Sequence, residues 1–376
     1  MRISSNFDGG NITCLAADEP SDIRLSIAKD SNSDFYQWFY FRLSGARGQD
    51  CALKIVNAGG AAYTGGWPDY KAVASYDRAD WFRVPTAYDG TVLTIRHTPE
   101  QDAVYYAYFA PYSMERHADL VATALRSNLV KLEVLGATLD GQDLDLLRIG
   151  TPGEGKRVCW IIGRQHPGET MAEWWMEGFL HRLLDSDDAL ARALLRRAVF
   201  NVVPNMNPDG SRRGHLRTNA AGANLNREWQ APDMERSPEV FLVRRAMEAS
   251  GVDYCLDVHG DEARPYNFLI STSGIPSFNE KLKTLYLAHG EALRRANPDF
   301  QTALHGNLEA KPGNATMTMC GNWVAERFGC LATTLEMPFK DTVETPDARA
   351  GWSPERSRKL GAAGLDAILA VVETLR

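Results

Sequence analysis

A chain of 376 residues is longer than one hydrophobic core usually supports, so its length predicts two domains. Its composition, 44% hydrophobic and 24% charged, is typical of a globular protein, and no apolar run approaches the ~20 residues that span a bilayer. A formal net charge of −7 argues against nucleic acid as a partner, because phosphate binding needs a concentrated basic face.

The start of the chain predicts where the protein is located, and the spacing of its cysteines predicts their chemical state. Residues 1–10 lack the apolar h-region of a secretory signal, so we expect a cytoplasmic protein. The six cysteines are scattered, mostly within apolar runs, and none forms a Cys-x-x-Cys pair. This spacing differs from that of zinc ribbons and redox motifs and predicts buried free thiols.

Residues 1–117 alternate short apolar and aromatic runs with Gly, Asp and Pro clusters and show no long helical period. This pattern predicts an all-β domain whose antiparallel strands pack as a small sandwich. The clearest strands are 35–43, 52–57, 91–95 and 103–109. Their aromatic side chains suit a domain core, and a surface that stacks on carbohydrate or peptide is the alternative.

Pro111 ends the last of these strands, and the pattern changes to alternating strands and helices. Residues 118–376 are therefore predicted to form an α/β domain, a mixed doubly wound sheet with helices on both faces. The predicted strands are 143–150, 158–163, 198–204, 251–260 and 330–338. The predicted helices are 118–129, 171–184, 189–197, 240–249, 279–296, 323–327 and 354–374.

The apolar run 158–163 stops at the turn His166-Pro167-Gly168-Glu169. A run of this length suits a strand covered on both faces, and Pro167 and Gly168 break the extended path before the next helix. At the carboxyl end of the strand, His166 offers an imidazole nitrogen and Glu169 a carboxylate oxygen. These are two of the three protein ligands typical of a catalytic zinc site.

His259 is the predicted third ligand. A single histidine at a strand end is more often structural, but His259 ends the strand 251–260 in the same topological place as His166 and Glu169. Asp257 lies two residues earlier, so its side chain points to the same side of the strand. We expect Asp257 to orient the imidazole of His259.

Two irregular segments are expected beside this site, residues 205–229 and 301–318. So long a structureless loop is usually functional, and loops at the carboxyl ends of strands line ligand sites. In the first segment, Arg227 beside Asn226, with Arg217 earlier, suits the binding of a carboxylate, because a guanidinium group offers paired donors. Solvated loop charge is the alternative interpretation of these arginines.

Glu336 closes the apolar strand 330–338 at the same edge. A carboxylate in such a strand is costly unless it is paired or has a function. Six blocks thus follow one another in order: His-Pro-Gly-Glu-Thr at 166–170, Asn-Pro-Asp-Gly at 207–210, Arg217, Leu-Asn-Arg at 225–227, His259 and Thr-Leu-Glu-Met-Pro at 334–338.

In order and spacing these blocks resemble the zinc carboxypeptidases of the M14 peptidase class, across residues 120–376. Segments 35–41 and 105–113 resemble the β-domain of the cytosolic carboxypeptidase subfamily, whose members include tubulin deglutamylases. The resemblance implies a zinc carboxypeptidase-like fold with one zinc ion per chain. It implies that His166, Glu169 and His259 bind the zinc and that Glu336 is the general base.

The resemblance also implies roles for the segment 205–229. Arg217 would polarise the scissile carbonyl, and Asn226 and Arg227 would hold the terminal carboxylate of the substrate. The expected substrates are the C-terminal tails of peptides or proteins, with a glutamyl bond as one candidate. Arg213, Arg264, Lys311 and Arg327 are candidates for an acidic-residue pocket, although each is more typical of surface charge.

The sequence departs from the family pattern in two places. Asn224 stands where the family usually has aspartate, which is expected to change the hydrogen bonding of this loop. Neither Tyr266 nor Tyr286 matches the mobile tyrosine of the digestive enzymes. Two alternative functions remain open: an aspartoacylase-like zinc amidohydrolase that deacylates amino acids, and an inactive module that binds acidic peptide tails.

Overall fold

The computed structural model of the chain describes residues 1–300, 308 and 310–376. Its amino-terminal part consists of short strands. They are β1 Arg2–Ser4, β2 Thr13–Ala16, β3 Ile23–Ser26, β4 Tyr40–Ser44, β5 Cys51–Ile55, β6 Val73–Ser75, β7 Phe82–Arg83, β8 Thr86–Tyr88, β9 Leu93–His97 and β10 Ala103–Ala107. The strands form two sheets, with the orders β1-β4-β10-β6-β7 and β2-β3-β5-β9-β8. The predicted all-β fold of this part is confirmed, and the pairing is antiparallel except between β3 and β5.

The predicted strand 35–43 is wrong over its first half, because β4 begins only at Tyr40. The preceding residues are largely buried, but their backbone groups bind loops rather than a neighbouring strand. Phe35 O accepts a hydrogen bond from Asp30 N, and Tyr36 O accepts one from Ala62 N. Burial of aromatic side chains therefore does not require sheet pairing here.

The second part of the chain alternates strands and helices, as predicted. Its helices are α1 Met114–Ala124, α2 Met171–Leu183, α3 Ala189–Arg197, α4 Pro208–Arg213, α5 Pro238–Ser250, α6 Glu280–Ala296, α7 Cys320–Phe328 and α8 Pro354–Val371. Its strands are β11 Val130–Ala137, β12 Asp143–Ile149, β13 Arg157–Gly163, β14 Ala198–Val203, β15 Tyr254–Asp261, β16 Phe268–Ile270 and β17 Leu331–Pro338. The helix α1 begins before residue 118, and the predicted division between residues 117 and 118 stays a prediction.

These seven strands form one mixed sheet in the order β11-β12-β14-β13-β15-β17-β16. The central strands β14, β13, β15 and β17 are parallel, and the outer strands β11, β12 and β16 pair antiparallel. Residues on β13 alternate between two hydrophobic clusters. Ile161 packs in the cluster that contains α2 and α8, whereas Trp160 and Ile162 pack in the cluster that contains α5 and α7. The predicted sheet with helices on both faces is confirmed.

Several boundaries differ from the predictions. The helix predicted at 118–129 ends at Ala124, because the chain must turn into β11, which the sequence did not indicate. The short edge strand β16 was also missed. The segment 205–229 is not structureless: Pro208 starts α4, and Asn207 caps it through a bond from Gly210 N. Of the second irregular segment, residues 301–307 and 309 lie outside the described residues.

None of the helices in the described part of the chain combines the length and apolar character that a membrane span requires. The cysteines are free, and five of the six are buried as predicted. Cys14 is the exception, since it lies exposed on the short strand β2.

Candidate active site

The parallel strands bring the predicted ligands to one edge of the sheet. Gly163, the last residue of β13, lies opposite Val258 of β15, so the His-Pro-Gly-Glu turn begins beside His259. On the other side of β15, His259 lies opposite Glu336 of β17. The carboxyl ends of parallel strands meet at the same edge of a sheet, and therefore residues far apart in sequence converge here.

Three donor atoms meet at this edge. Glu169 Oε1 lies 2.7 Å from Nδ1 of His166, and Glu169 Oε2 lies 2.8 Å from Nδ1 of His259. The two Nδ1 atoms are 3.1 Å apart. All three residues are at least 97% buried. Two imidazole nitrogens and a carboxylate oxygen within 4.8 Å of one another form a donor set that suits zinc.

The other nitrogen of each imidazole has an oxygen partner. Nε2 of His166 lies 3.1 Å from Oδ1 of Asn224, and Nε2 of His259 lies 2.9 Å from Oδ2 of Asp257. Each ring thereby presents Nδ1 to the shared point. Metal-binding histidines use their second nitrogen in this way, which fixes the ring orientation and the tautomer. The expected orienting contact of Asp257 is present, and Asn224 makes the contact on the other ring.

The charges of the three donors also suit a metal. Burial, together with the positive charge of Arg217, lowers the pKa of His166 to about 4, so this imidazole is neutral. Burial would raise the pKa of Glu169, but the two imidazoles outweigh it and hold this pKa well below its usual range. Burial would lower the pKa of His259, but the carboxylates of Asp257 and Glu169 raise it.

Glu336 faces the same cavity and is only partly buried. Burial raises the pKa of its carboxyl group, and the negative charge of Glu169 adds to the effect although His259 opposes it. Its Oε2 atom has no hydrogen-bond partner within the described residues. A carboxyl group with a free oxygen at the cavity wall is suited to accept a proton and to return it.

The cavity beside these groups has a volume of about 340 Å³. Six of the predicted site residues line the cavity: His166, Glu169, Arg217, Asn226, Arg227 and Glu336. The remaining one, His259, is not part of its wall. Arg227 Nη1 donates to its neighbour's carbonyl, Asn226 O, at 2.6 Å. Oδ1 of Asn226 accepts a bond from Cys320 N at 2.8 Å, so the oxygen of this side chain is already used.

Arg217 carries a positive charge without an ion pair among the described residues. Its guanidinium carbon lies 5.2 Å from the ring centroid of Tyr63 and 5.6 Å from that of Phe35. Its Nε atom has no hydrogen-bond partner in the described part of the chain. The guanidinium group is thus held by aromatic faces and keeps its donors for a ligand.

The candidates for an acidic-residue pocket do not line the cavity. Arg213 forms an ion pair with Asp140 at 2.7 Å, and Arg264 lies 4.3 Å above the ring of Phe268. Arg327 stands 3.8 Å from Glu248, and Lys311 is exposed. Each of these cations is used elsewhere on the surface or faces solvent.

The cavity wall also includes residues that the sequence interpretation missed, among them Tyr63 and Glu262. Tyr63 comes from the amino-terminal part of the chain, and no local sequence pattern indicates which loop it faces. Tyr286, which was considered above as a match for the mobile tyrosine, is buried and donates a hydrogen bond to Leu269 O. Glu262 follows the predicted ligand His259 by three residues, and this closeness in the sequence was the one indication that Glu262 lies at the site. Burial, with the nearby charge of Glu169, raises the pKa of Glu262 to about 8.

The chain matches known families over most of its length. A model described as zinc carboxypeptidase, family M14, matches residues 114–355, and a model described as the cytosolic carboxypeptidase N-terminal domain matches residues 3–109. Mouse cytosolic carboxypeptidase 1 is 28% identical over an alignment of 324 positions that covers 73% of this chain. The match spans only 26% of the mouse protein.

Two solved bacterial structures are similar over the whole chain. A metallo-carboxypeptidase of Burkholderia cenocepacia is 51% identical, with a TM-score of 0.96 over 99% of each chain. A metallo-carboxypeptidase of Pseudomonas aeruginosa, solved with (2-guanidinoethylmercapto)succinic acid, is 44% identical, with a TM-score of 0.97 over 100% of each chain. The matches support a peptide hydrolase, and nothing in them favours the deacylase or the inactive binder. The chain is therefore a metallocarboxypeptidase and belongs to the zinc carboxypeptidase family.

Proposed function

We propose that the protein is a cytoplasmic, zinc-dependent carboxypeptidase that removes the last residue of peptide or protein tails. The observation that carries the proposal is the cavity itself, where a buried His-Glu-His donor set adjoins the carboxyl group of Glu336 and two arginines. His166, Glu169 and His259 would hold one zinc ion, since their donor atoms converge and the outer nitrogens are already oriented. When bound, zinc polarises oxygen ligands and makes a water molecule a stronger acid.

Glu336 is the proposed general base. Its Oε2 atom, free within the described residues, suits a group that takes a proton from the attacking water and then delivers it to the leaving amine. The same group must accept the proton and later release it, so it must reach both the attacking water and the leaving amine.

Arg217 is the proposed partner of the scissile carbonyl. Negative charge develops on that oxygen during attack, and a preorganised guanidinium donor stabilises it. The lack of an ion pair for Arg217 within the described residues supports this role, because a neighbouring carboxylate would otherwise occupy its donors.

Asn226 and Arg227 are the proposed binding groups for the substrate's terminal carboxylate. Both line the cavity. The similar Pseudomonas aeruginosa enzyme was solved with a succinic acid derivative, a ligand with carboxylate groups. A guanidinium group beside an amide suits recognition of a carboxylate.

The test compares peptide pools with randomised last residues, one pool with free and one with amidated C-termini. We expect the zinc-loaded protein to release single residues from the free-acid pool only, and a chelator to stop the release. Mass analysis of the released residues also shows whether a glutamyl bond, the one candidate named above, is cleaved in preference to others. Equal turnover of the amidated pool would contradict the proposal, since it would show that no terminal carboxylate is recognised.

A further inference from the structure

The loop that carries Arg217, residues 214–220, is bound by one buried carboxylate of the amino-terminal part. Asp30 is 3% exposed. Its Oδ1 atom accepts from Leu216 N at 2.7 Å, and its Oδ2 atom accepts from Arg217 N at 2.8 Å. Oδ2 also accepts from the backbone and the hydroxyl group of Thr218, at 2.9 and 3.1 Å. Three consecutive backbone amides are therefore fixed by a single side chain.

Further contacts from the same part hold the ends of this loop. Asn11 donates to Gly214 O at 3.0 Å, and Asn32 donates to Ala220 O at 3.2 Å. Ser31 N donates to Nε2 of His215 at 3.0 Å. The amino-terminal part thus supplies the partners that a free-standing catalytic domain would lack.

The side chain of Arg217 is positioned by the same part of the chain. Phe35 and Tyr63 lie beneath its guanidinium group, and Asp30 binds its backbone instead of its charge. A carboxylate that paired with the guanidinium group would compete with the substrate. Binding the backbone avoids this competition while it fixes where the side chain begins.

We propose that Asp30 is a positioning residue that acts through Arg217 and that the amino-terminal domain completes the active site. The inference rests on the proposed role of Arg217 at the scissile carbonyl. Misplacing a catalytic donor by about 1 Å costs up to ~10²-fold in rate. Because Arg217 acts on the reacting carbonyl rather than on the terminal carboxylate, loss of Asp30 lowers kcat more than it changes KM.

The test is Asp30→Asn, which keeps the shape but places an NH₂ group against backbone donors. We expect kcat for a free-acid peptide to fall ~10- to 100-fold, with KM within about threefold and zinc content unchanged. Asp34→Asn is the matched control, because Asp34 is exposed and pairs with the exposed Lys29 at 2.6 Å. The control should keep kcat within about twofold. A fall in both variants, or in neither, overturns the proposal.

A double-mutant cycle with Arg217→Ala separates positioning from general loss of structure. If Asp30 acts through Arg217, Asp30→Asn lowers kcat by less than about twofold in the Arg217→Ala background. An equal fall in both backgrounds overturns the proposal and leaves the role of Arg217 intact. If Arg217→Ala alone changes kcat by less than about threefold, the role of Arg217 in the proposed function is wrong, and this inference fails with it.

A milder variant serves if Asp30→Asn does not fold. Thr218→Val removes one of the four hydrogen bonds to Asp30 and nearly preserves the side-chain shape. We expect a smaller fall in kcat, about two- to fivefold, that again disappears in the Arg217→Ala background. An unchanged kcat, or a fall that persists without Arg217, overturns the proposal.

Discussion

Asp257 Oδ2 lies 2.9 Å from Nε2 of His259, across the ring from the Nδ1 atom that faces Glu169. The matching position on the ring of His166 is occupied by Oδ1 of Asn224, at 3.1 Å. One proposed zinc ligand thus has a charged outer partner, and the other has a neutral one. A carboxylate makes its imidazole a stronger electron donor, so the two ligands are expected to respond differently to exchange of their partners.

We predict that Asp257→Asn weakens zinc binding by ~10- to 100-fold, because the variant removes the charge behind His259. Asn224→Asp is the reciprocal variant and should bind zinc more tightly, because it adds a charge behind His166. Competition with a chelator of known affinity measures both. Unchanged affinity in the two variants would show that these contacts do not tune a metal.

Removal of the proposed ligand His259 should reduce zinc binding more than removal of its outer partner Asp257 does. We predict that the parent protein binds about one zinc per chain and that His259→Ala loses most of it. His181→Ala is the control, since His181 is exposed on α2, away from the sheet edge. Elemental analysis of both purified variants decides the matter, and full zinc content in His259→Ala would remove His259 from the ligand set.

Arg227→Ala should mainly weaken substrate binding. Loss of a charged donor to the terminal carboxylate costs ~1.5–3 kcal/mol, or about ten- to a hundredfold in kcat/KM. The loss is expected in KM, because the carboxylate is bound equally before and during the reaction. An amidated peptide is the matched control, and any residual turnover of it should not respond to the substitution. If the variant impairs both substrates equally, Arg227 does not bind the carboxylate.

The convergence of His166, Glu169 and His259 at one edge of the sheet was predictable because its determinants are local. An apolar run followed by His-Pro-Gly-Glu indicates a buried strand and a turn, and parallel strands must end at a common edge. The outer contact of Asp257 followed from the two-residue period of a strand. The contacts of Arg217 were not predictable, because Asp30 and Tyr63 lie more than 150 residues earlier in the chain. Aromatic strands indicate a core but not which loop they cover.

His117, Glu173 and Asp145 form a charge network that is largely buried, and this network predicts that the stability of the protein depends on pH. His117 Nδ1 lies 2.7 Å from Glu173 Oε1, and Nε2 lies 3.8 Å from Asp145 Oδ2. Burial would lower the pKa of His117, but these carboxylates outweigh it and raise the pKa from 6.5 to about 9. Since folding raises this pKa, the stabilisation is complete below about pH 6.5 and is lost as the pH rises through about 9.

We therefore predict that His117→Gln destabilises the protein more at pH ~6 than at pH ~9.5, by up to ~3 kcal/mol. The free energy of unfolding from urea titrations of parent and variant at both pH values measures the difference. A difference that does not depend on pH would show that His117 is not protonated in the folded state.

The most direct test of the proposed mechanism is Glu336→Gln, because glutamine keeps the shape of glutamate but cannot accept a proton from water. If Glu336 is the general base, the variant keeps its zinc and its fold while kcat falls by ~10²- to 10⁴-fold. A structural role predicts near-normal activity, and a ligand role predicts loss of metal. The measurement is kcat on a free-acid peptide with zinc content determined on the same sample. Full zinc content with kcat within about tenfold of the parent would contradict general-base catalysis by Glu336.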